Sequence, residues 1–255
     1  MGKVYLVGAG PGAADLITVR GARILGMADV VLHDALIEPE LLALCGQARL
    51  VAVGKRCGRH ATAQHFINKQ LVDCARRHAV VVRLKGGDPM LFGRADEEMR
   101  ALEAAGIEFD VVPGITAAIA SAALLRRSLT LRGVARSVAF ATRSRAPESE
   151  EIRAQVEADS LVYYMGRDSA DVIAAELIAH GKPAHTPVAI VEACSTPRER
   201  HTSMTLGQMA AGAARAWFDP AQPSLLLIGE AFRALLEADL SPEVRQALQA
   251  GRLAA

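Results

Sequence analysis

Short runs of β-branched and aliphatic residues recur along the chain, separated by stretches in which apolar residues return every three or four positions. Residues 3–7, 29–32, 49–53, 80–84 and 108–112 read as strands and the segments between them as amphipathic helices. That alternation predicts an α/β fold whose first sheet is mainly parallel, with helices covering it. After Pro113 and Gly114 the pattern changes. Strands are predicted at 138–142, 161–164, 188–191, 201–205 and 225–228, but the TPRER link at 196–200 is too brief for a right-handed helical crossover. The second sheet is therefore predicted to be mixed. Two α/β domains follow, 1–113 and 114–255, with a ligand cleft expected between them. The longest apolar run, 111–125, is too short to span a membrane and is interrupted by Pro113, Gly114, Thr116 and Ser121, so it reads as a buried helix. The Ala-rich stretch from Phe232 onward reads as a terminal helix pair.

Within that framework two loops are not packing elements. LKGGDPMLFGR, at 84–94, joins a strand to a helix. Gly86 and Gly87 let the backbone approach a ligand, Asp88 supplies an acceptor, and Pro89 fixes the exit of the loop. The second is GAGPG, at 8–12. A dinucleotide fingerprint wants GxGxxG opening a helix and an acidic residue closing the next strand. Here Pro11 follows the second glycine, Gly12 comes one residue early, and Asp29 precedes its strand. The following helix starts only around residues 15–18, so the loop is wider than a phosphate turn and suits a bulkier, adenosine-type ligand.

Composition narrows the classes further. The 255 residues are 51% hydrophobic, enough for a substantial core. Lys and Arg number 29 against 28 Asp and Glu, a formal net charge of +1, so no global field recruits nucleic acid or a membrane surface. An anionic ligand must be met by local basic groups. Cys45, Cys57, Cys74 and Cys194 form no CxxC pair and no histidine stands at a metal-ligand spacing from them, so no metal site is predicted and a reducing cytoplasm is expected. The chain enters its first strand without a secretory pattern, and no export is expected.

In addition, nearly the whole chain carries an ordered set of blocks: VYLVGAGPG, ADVVLHD, VGKRCGRH, VVRLKGGDPMLFGR, VVPGITAA, YMG, AHGKPAHTPVAIVE, TPRER and PSLLLIGE. In these the sequence resembles the uroporphyrinogen-III C-methyltransferases, members of the tetrapyrrole methylase family. The resemblance implies a homodimeric two-domain enzyme that binds S-adenosylmethionine, folded, in the interdomain cleft. Such an enzyme methylates uroporphyrinogen III twice, giving precorrin-2 and S-adenosylhomocysteine, on the way to sirohaem, cobalamin or haem d1. By position it implies cofactor contacts at Pro11, Gly86, Gly87, Asp88, Leu91, Thr116, Ala117, Met165 and Cys194. It implies acid and base roles for Asp34 and Lys55, and substrate-side charges at Arg94, Glu97 and Arg132.

These residue types suit the chemistry. A sulfonium methyl is already activated, so the protein must chiefly align a pyrrole carbon with it and exclude water. Attack by carbon leaves a cationic ring that must lose a proton, and Asp34 or Glu97 is a plausible acceptor. Arg94, Arg132, and the Lys55, Arg56 and Arg59 cluster offer partners to the carboxylates of a tetrapyrrole. Simpler roles exist for several of them: Asp34 as a cap, Glu97 or Glu98 as a favourable charge at a helix start, Met165 as core filler. The chain also departs from the family pattern at Ala35, Leu131 and the Arg143–Ser144 pair, mostly on the tetrapyrrole side. Two alternatives therefore stand beside the leading reading: a methylase of a later precorrin, and a catalytically weak tetrapyrrole-binding paralogue.

Overall fold

A computed structural model describes residues 1–53, 60–144 and 157–238. Contacts divide the chain into two compact units, 1–120 and 121–255. In the first, five strands, β1 (Lys3–Gly8), β2 (Val30–His33), β3 (Arg49–Ala52), β4 (Val80–Lys85) and β5 (Phe109–Val112), are all parallel in the order β3-β2-β4-β1-β5. Helices α1 (Val19–Gly26), α2 (Pro39–Leu42), α3 (His60–Ala75) and α4 (Ala95–Ala104) lie between them, with α5 (Ala117–Leu125) after β5. Alternation along the strands sorts the core. Val4, Leu6, Val30 and Leu32 pack with Ile67 and Leu71 of α3 and Leu102 of α4. Val7, Val31, Val82 and Leu84 pack with Ile24 and Leu25 of α1 and Leu41 of α2.

The early crossovers thus cover one face and the later ones the other. With each crossover right-handed, the chain leaves β1 and β4 in opposite directions. Those neighbouring strands form the switch point, where α/β sheets open a crevice at their carboxyl ends. Asp29 fixes the opposite end: its Oδ2 accepts from the amides of Ala79 and Val80 at 2.9 and 2.8 Å, setting β2 against β4.

The second unit holds β6 (Val138–Thr142), β7 (Ser160–Tyr164), β8 (Pro187–Glu192), β9 (Arg200–Thr205) and β10 (Ser224–Ile228) in the order β6-β7-β10-β8-β9. Only β6 and β7 pair in parallel; β10 is antiparallel to β7 and β8, and β8 to β9. The mixed sheet expected from the short TPRER link is what forms. Helices α6 (Ala170–Ala179) and α7 (Leu206–Ala210) cover one face through Ile173, Leu177 and Met209, and α8 (Arg233–Ala238) follows β10. Asp159 does for β6 and β7 what Asp29 does for β2 and β4, accepting from the amides of Arg136 and Ser137 at 2.8 and 2.9 Å.

The apolar run 111–125 is not one buried helix: Val112 closes β5, residues 113–116 turn, and α5 leaves Ile119 half-exposed. Gly114 breaks the run because it lies close against the backbone of Gly8 and Gly87, so it packs with the first unit. Most of the terminal helix pair falls beyond residue 238, outside the described residues. Among the described residues, no helix is long and apolar enough to cross a membrane.

Candidate functional site

Three loops meet at the carboxyl edge of the first sheet, one after each of the adjacent strands β4, β1 and β5. Gly8, Gly87 and Gly114 are in backbone contact there. A Cβ on Gly8 would lie 2.6 Å from the Gly114 Cα, and one on Gly114 would lie 2.3 Å from the Gly87 carbonyl oxygen. Neither position admits a side chain. Gly10 and Gly87 also exchange two backbone hydrogen bonds, the Gly87 amide donating at 2.7 Å and the Gly10 amide at 3.1 Å. Gly87 has φ +65°, in the region that glycine enters freely. Gly86 beside it is exposed, with nothing within 4 Å of where its Cβ would be.

Asp88 fastens this junction. Its Oδ1 accepts from the Met90 amide at 2.8 Å and its Oδ2 from the Gly114 amide at 2.8 Å, joining the loop after β4 to the loop after β5. The carboxylate thus engages the protein through both of its oxygens. Pro11, Leu91, Thr116 and Ala117 are half-buried around the same loops, and the Thr116 carbonyl accepts the first turn of α5 from Ile119 and Ala120. Behind GAGPG, α1 begins only at Val19, capped by Thr18, whose Oγ1 accepts from the Gly21 amide. Only a single 3-10 turn, Ala14–Leu16, stands between the glycines and α1. The loops GAGPGAA, GGDPMLFG and PGITAA contain no Lys or Arg, so they offer backbone groups to an uncharged nucleoside and lack a cationic cradle for pyrophosphate.

Beside the junction, at the end of β2, Asp34 is not a cap. Its Oδ1 accepts from Arg83 Nη2 at 2.5 Å, and its side chain remains 33% exposed. Arg83 is buried, and its Nε donates to Glu98 Oε1 at 2.9 Å; the ammonium of Lys85 donates to Glu98 Oε2, also at 2.9 Å. Burial opposes the charge on Arg83, yet Asp34 and Glu98 outweigh it and raise its pKa. Lys85 moves the other way, lowered by burial and by Arg83.

Further along this loop, Arg94 and Glu97 pair with one another. Arg94 Nε and Nη2 donate to Glu97 Oε1 and Oε2 at 2.6 and 2.7 Å, both side chains exposed. Phe92 and Arg94 adopt φ +52° and +55°, a left-handed backbone costly for residues with a Cβ. Lys55, Arg56, Cys57 and Arg59 lie outside the described residues.

The second unit gathers its own edge. The carboxyl ends of β6, β7 and β8 and the amino end of β10 share one side of the sheet, as Thr142 pairs with Tyr164 and Ser224 with Glu192. Met165, just past β7, is half-exposed with φ +53°. Cys194 is buried between Ala193 and Ser195, at φ +49° and +59°. Burial pushes its thiol up. The TPRER block holds this strained turn: Thr196 Oγ1 donates to the Ala193 carbonyl at 2.8 Å, and Glu199 accepts from the Ser195 amide at 2.5 Å. Arg200 binds the fully buried Glu192 at 2.6 Å and covers the Trp217 ring at 4.4 Å. Arg132 stands exposed in the turn between Leu131 and Ala135. Arg143 pairs with Glu176.

The sequence pattern of the Tetrapyrrole (Corrin/Porphyrin) Methylases matches residues 3–210. The chain belongs to the tetrapyrrole methylases. This methylase is 45% identical over 234 residues to a siroheme synthase of Stutzerimonas stutzeri (strain A1501), covering 90% of the chain and 50% of that protein. The chain thus spans about half the length of the curated relatives it matches. Its fold matches a uroporphyrin-III C-methyltransferase of Thermus thermophilus solved with S-adenosylhomocysteine, at TM-score 0.79 and 38% identity, over 91% of this chain and 94% of that one. A cobalt precorrin-4 methyltransferase matches at TM-score 0.76 and 27% identity, over 90% and 95%.

Reading the sequence missed Arg83, Lys85 and Glu98 of this methylase. Two signals were available. Arg83 and Lys85 interrupt an otherwise apolar buried strand at a spacing of two, and Glu98 falls with Ala95 and Leu102 on the face of α4 that packs inward. Glu97, chosen from the same acidic pair, is one step round the helix and exposed.

Proposed function

We propose that this tetrapyrrole methylase transfers methyl groups from S-adenosylmethionine to two carbons of uroporphyrinogen III, giving precorrin-2 and S-adenosylhomocysteine. The observation that carries the reading is the junction of Gly8, Gly87 and Gly114 at a sheet switch point, in a chain 38% identical to a methyltransferase solved with S-adenosylhomocysteine. The cation-free loops fit the group. The backbone of Gly86 and Gly87, with Pro11, Leu91, Thr116 and Ala117, would hold it, and the family resemblance adds Met165 and Cys194 as cofactor contacts. Asp88 acts indirectly, keeping two of these loops in register. Bound there, S-adenosylmethionine supplies an already activated methyl.

The protein's share is alignment and proton removal. A pyrrole carbon gives its electron pair to the new C–C bond as the S–CH3 bond breaks, and the cationic ring then gives up a proton. Asp34 is the acceptor in this reading: it sits at the carboxyl edge, partly exposed, steadied from behind by Arg83. Arg94, Arg132 and Lys55 would meet the carboxylates of the substrate, with Glu97 setting the pose of Arg94. A substrate carboxylate must then compete with Glu97 for that guanidinium. Free Cys45, Cys74 and Cys194 support a reducing cytoplasm, and the family resemblance supports a homodimer.

A methylase of a later precorrin is the second reading, favoured by the engagement of Arg143 with Glu176, which leaves it ill placed to replace lost substrate contacts. The lower identity to the precorrin-4 enzyme, 27% against 38%, weighs against it. An anaerobic assay with S-adenosylmethionine and enzymatically generated uroporphyrinogen III, read by mass and absorption, decides between them. The expected product carries two added methyls. No methylation of that substrate alongside rapid methylation of a later precorrin would favour the second reading.

A further inference from the structure

We propose that Glu98 is a positioning residue for Asp34, acting through the guanidinium of Arg83; this rests on the reading that Asp34 takes the proton from the methylated ring. Glu98 is fully buried on α4 and receives three donors: Arg83 Nε at 2.9 Å, Lys85 Nζ at 2.9 Å and Gln64 Nε2 of α3 at 3.4 Å. Arg83 in turn is held on more than one side. Its Nε is on Glu98, its Nη1 donates to the Leu84 carbonyl at 3.1 Å, and its Nη2 reaches Asp34 Oδ1 at 2.5 Å. A planar guanidinium anchored along one edge and at a corner cannot turn, so the remaining nitrogen is delivered to Asp34 in one place. Two cations and two carboxylates balance, and the chain of contacts ends at the single member with substantial exposure.

The burial argues for more than stability. A buried ionic cluster gains little over apolar packing of the same volume, because desolvation offsets the attraction. Here Arg83, Lys85 and Glu98 are sealed inside, 3%, 3% and 0% exposed, while Asp34 stands at the rim at 33%. An interior of Leu and Met would close the core equally well but would leave Asp34 without a fixed partner. Neutralising Glu98 would leave two cations facing one carboxylate and free Arg83 from its Nε anchor, so Asp34 would lose its set orientation.

A double-mutant cycle of Glu98→Gln with Asp34→Asn tests this, read by single-turnover methylation of uroporphyrinogen III, by calorimetric binding of S-adenosylhomocysteine, and by thermal unfolding. Glu98→Gln is expected to slow methylation at least 10-fold while the affinity for S-adenosylhomocysteine stays within two-fold. The double variant is expected to be no slower than Asp34→Asn, since residues acting as one unit are not additive. Two results would overturn the positioning role with Asp34 still the acceptor: rate losses that multiply in the double variant, or a Glu98→Gln protein with normal rate or with ligand affinity lost as well. A wild-type rate in Asp34→Asn would instead remove Asp34 as acceptor, and the proposal with it. Should Glu98→Gln fail to fold, Arg83→Lys takes its place in the cycle: it keeps the charge, but one ammonium cannot span both carboxylates, and the same non-additivity is expected.

Discussion

Replacing Asp88 by Ala removes a carboxylate whose two oxygens hold different things. Oδ1 accepts from Met90 within its own loop and Oδ2 from Gly114 across to the next, both at 2.8 Å. Hydrogen bonds to a charged group contribute about 1.5–3 kcal/mol each. Met90 is exposed and its amide regains water on truncation, so that bond belongs at or below the low end. The Gly114 amide sits at a contact so close that its glycine admits no Cβ, and water replaces the lost acceptor poorly. Together the loss comes to about 2–4 kcal/mol. For a chain of this size, about 2 kcal/mol corresponds to a melting shift of about 4–8 °C. Because Gly114 and Gly87 face each other across the junction, part of the loss should appear in ligand affinity; 2 kcal/mol there would raise the Kd for S-adenosylhomocysteine about 30-fold. Asp88→Asn separates the two bonds. Its amide presents one acceptor and one donor, so it can keep Gly114 and sacrifice the solvated Met90, and it should fall much closer to the parent. Calorimetry and thermal unfolding on the three proteins read both quantities. An Asp88→Ala protein that melts like the parent and binds within two-fold would refute the idea that this carboxylate sets the loops in register.

Gly114→Ala should weaken S-adenosylhomocysteine binding more than Asp88→Ala does, because the new Cβ would lie 2.3 Å from the Gly87 oxygen and force the loops apart; calorimetry reads it, and a tight-binding Gly114→Ala protein would mean the loops yield easily. Arg94→Ala should leave melting almost unchanged, since an exposed pair such as Arg94–Glu97 contributes about 0.2–1 kcal/mol, yet should impair turnover with cofactor affinity intact. Loss of cofactor binding in steady-state and calorimetric assays would move Arg94 to the other side of the site. Acid should destabilise the fold through Asp73, Asp159, Asp168 and Asp171, held below the usual carboxylate range by Lys69, by Ser137 with the Arg136 amide, by Arg167 and by Arg215. The unfolded chain binds more protons than the folded one, so their stabilisation is present above about pH 3.9 and is lost as pH falls through the folded values. Denaturation measured across that window should steepen with acid, and Asp159→Asn should flatten the curve.

Much of this architecture was legible along the chain because strand and helix periodicity is local. The ten strands among the described residues lie within a residue or so of their apolar runs, and the TPRER link was too short to allow anything but an antiparallel return from β8 to β9. The two glycine loops announced themselves by types that packing does not require. What they approach was not legible: Gly8, Gly87 and Gly114 meet only because strand order sets β1 between β4 and β5, and order depends on crossovers that no local pattern encodes. That the oxygens of Asp88 join Met90 to Gly114 was not legible either, because Gly114 lies 26 residues away. Asp34 was legible as an acid or base, but not its partner, because Arg83 lies 49 residues away. Glu97 and Glu98 are equivalent as letters, and only the packing of α4 on the first sheet puts one in solvent and the other among buried cations. The sequence by itself determined the elements, the sheet classes and the loops able to admit a ligand; the tertiary structure decided which charges face each other, because charge pairing acts through space between residues the chain keeps far apart.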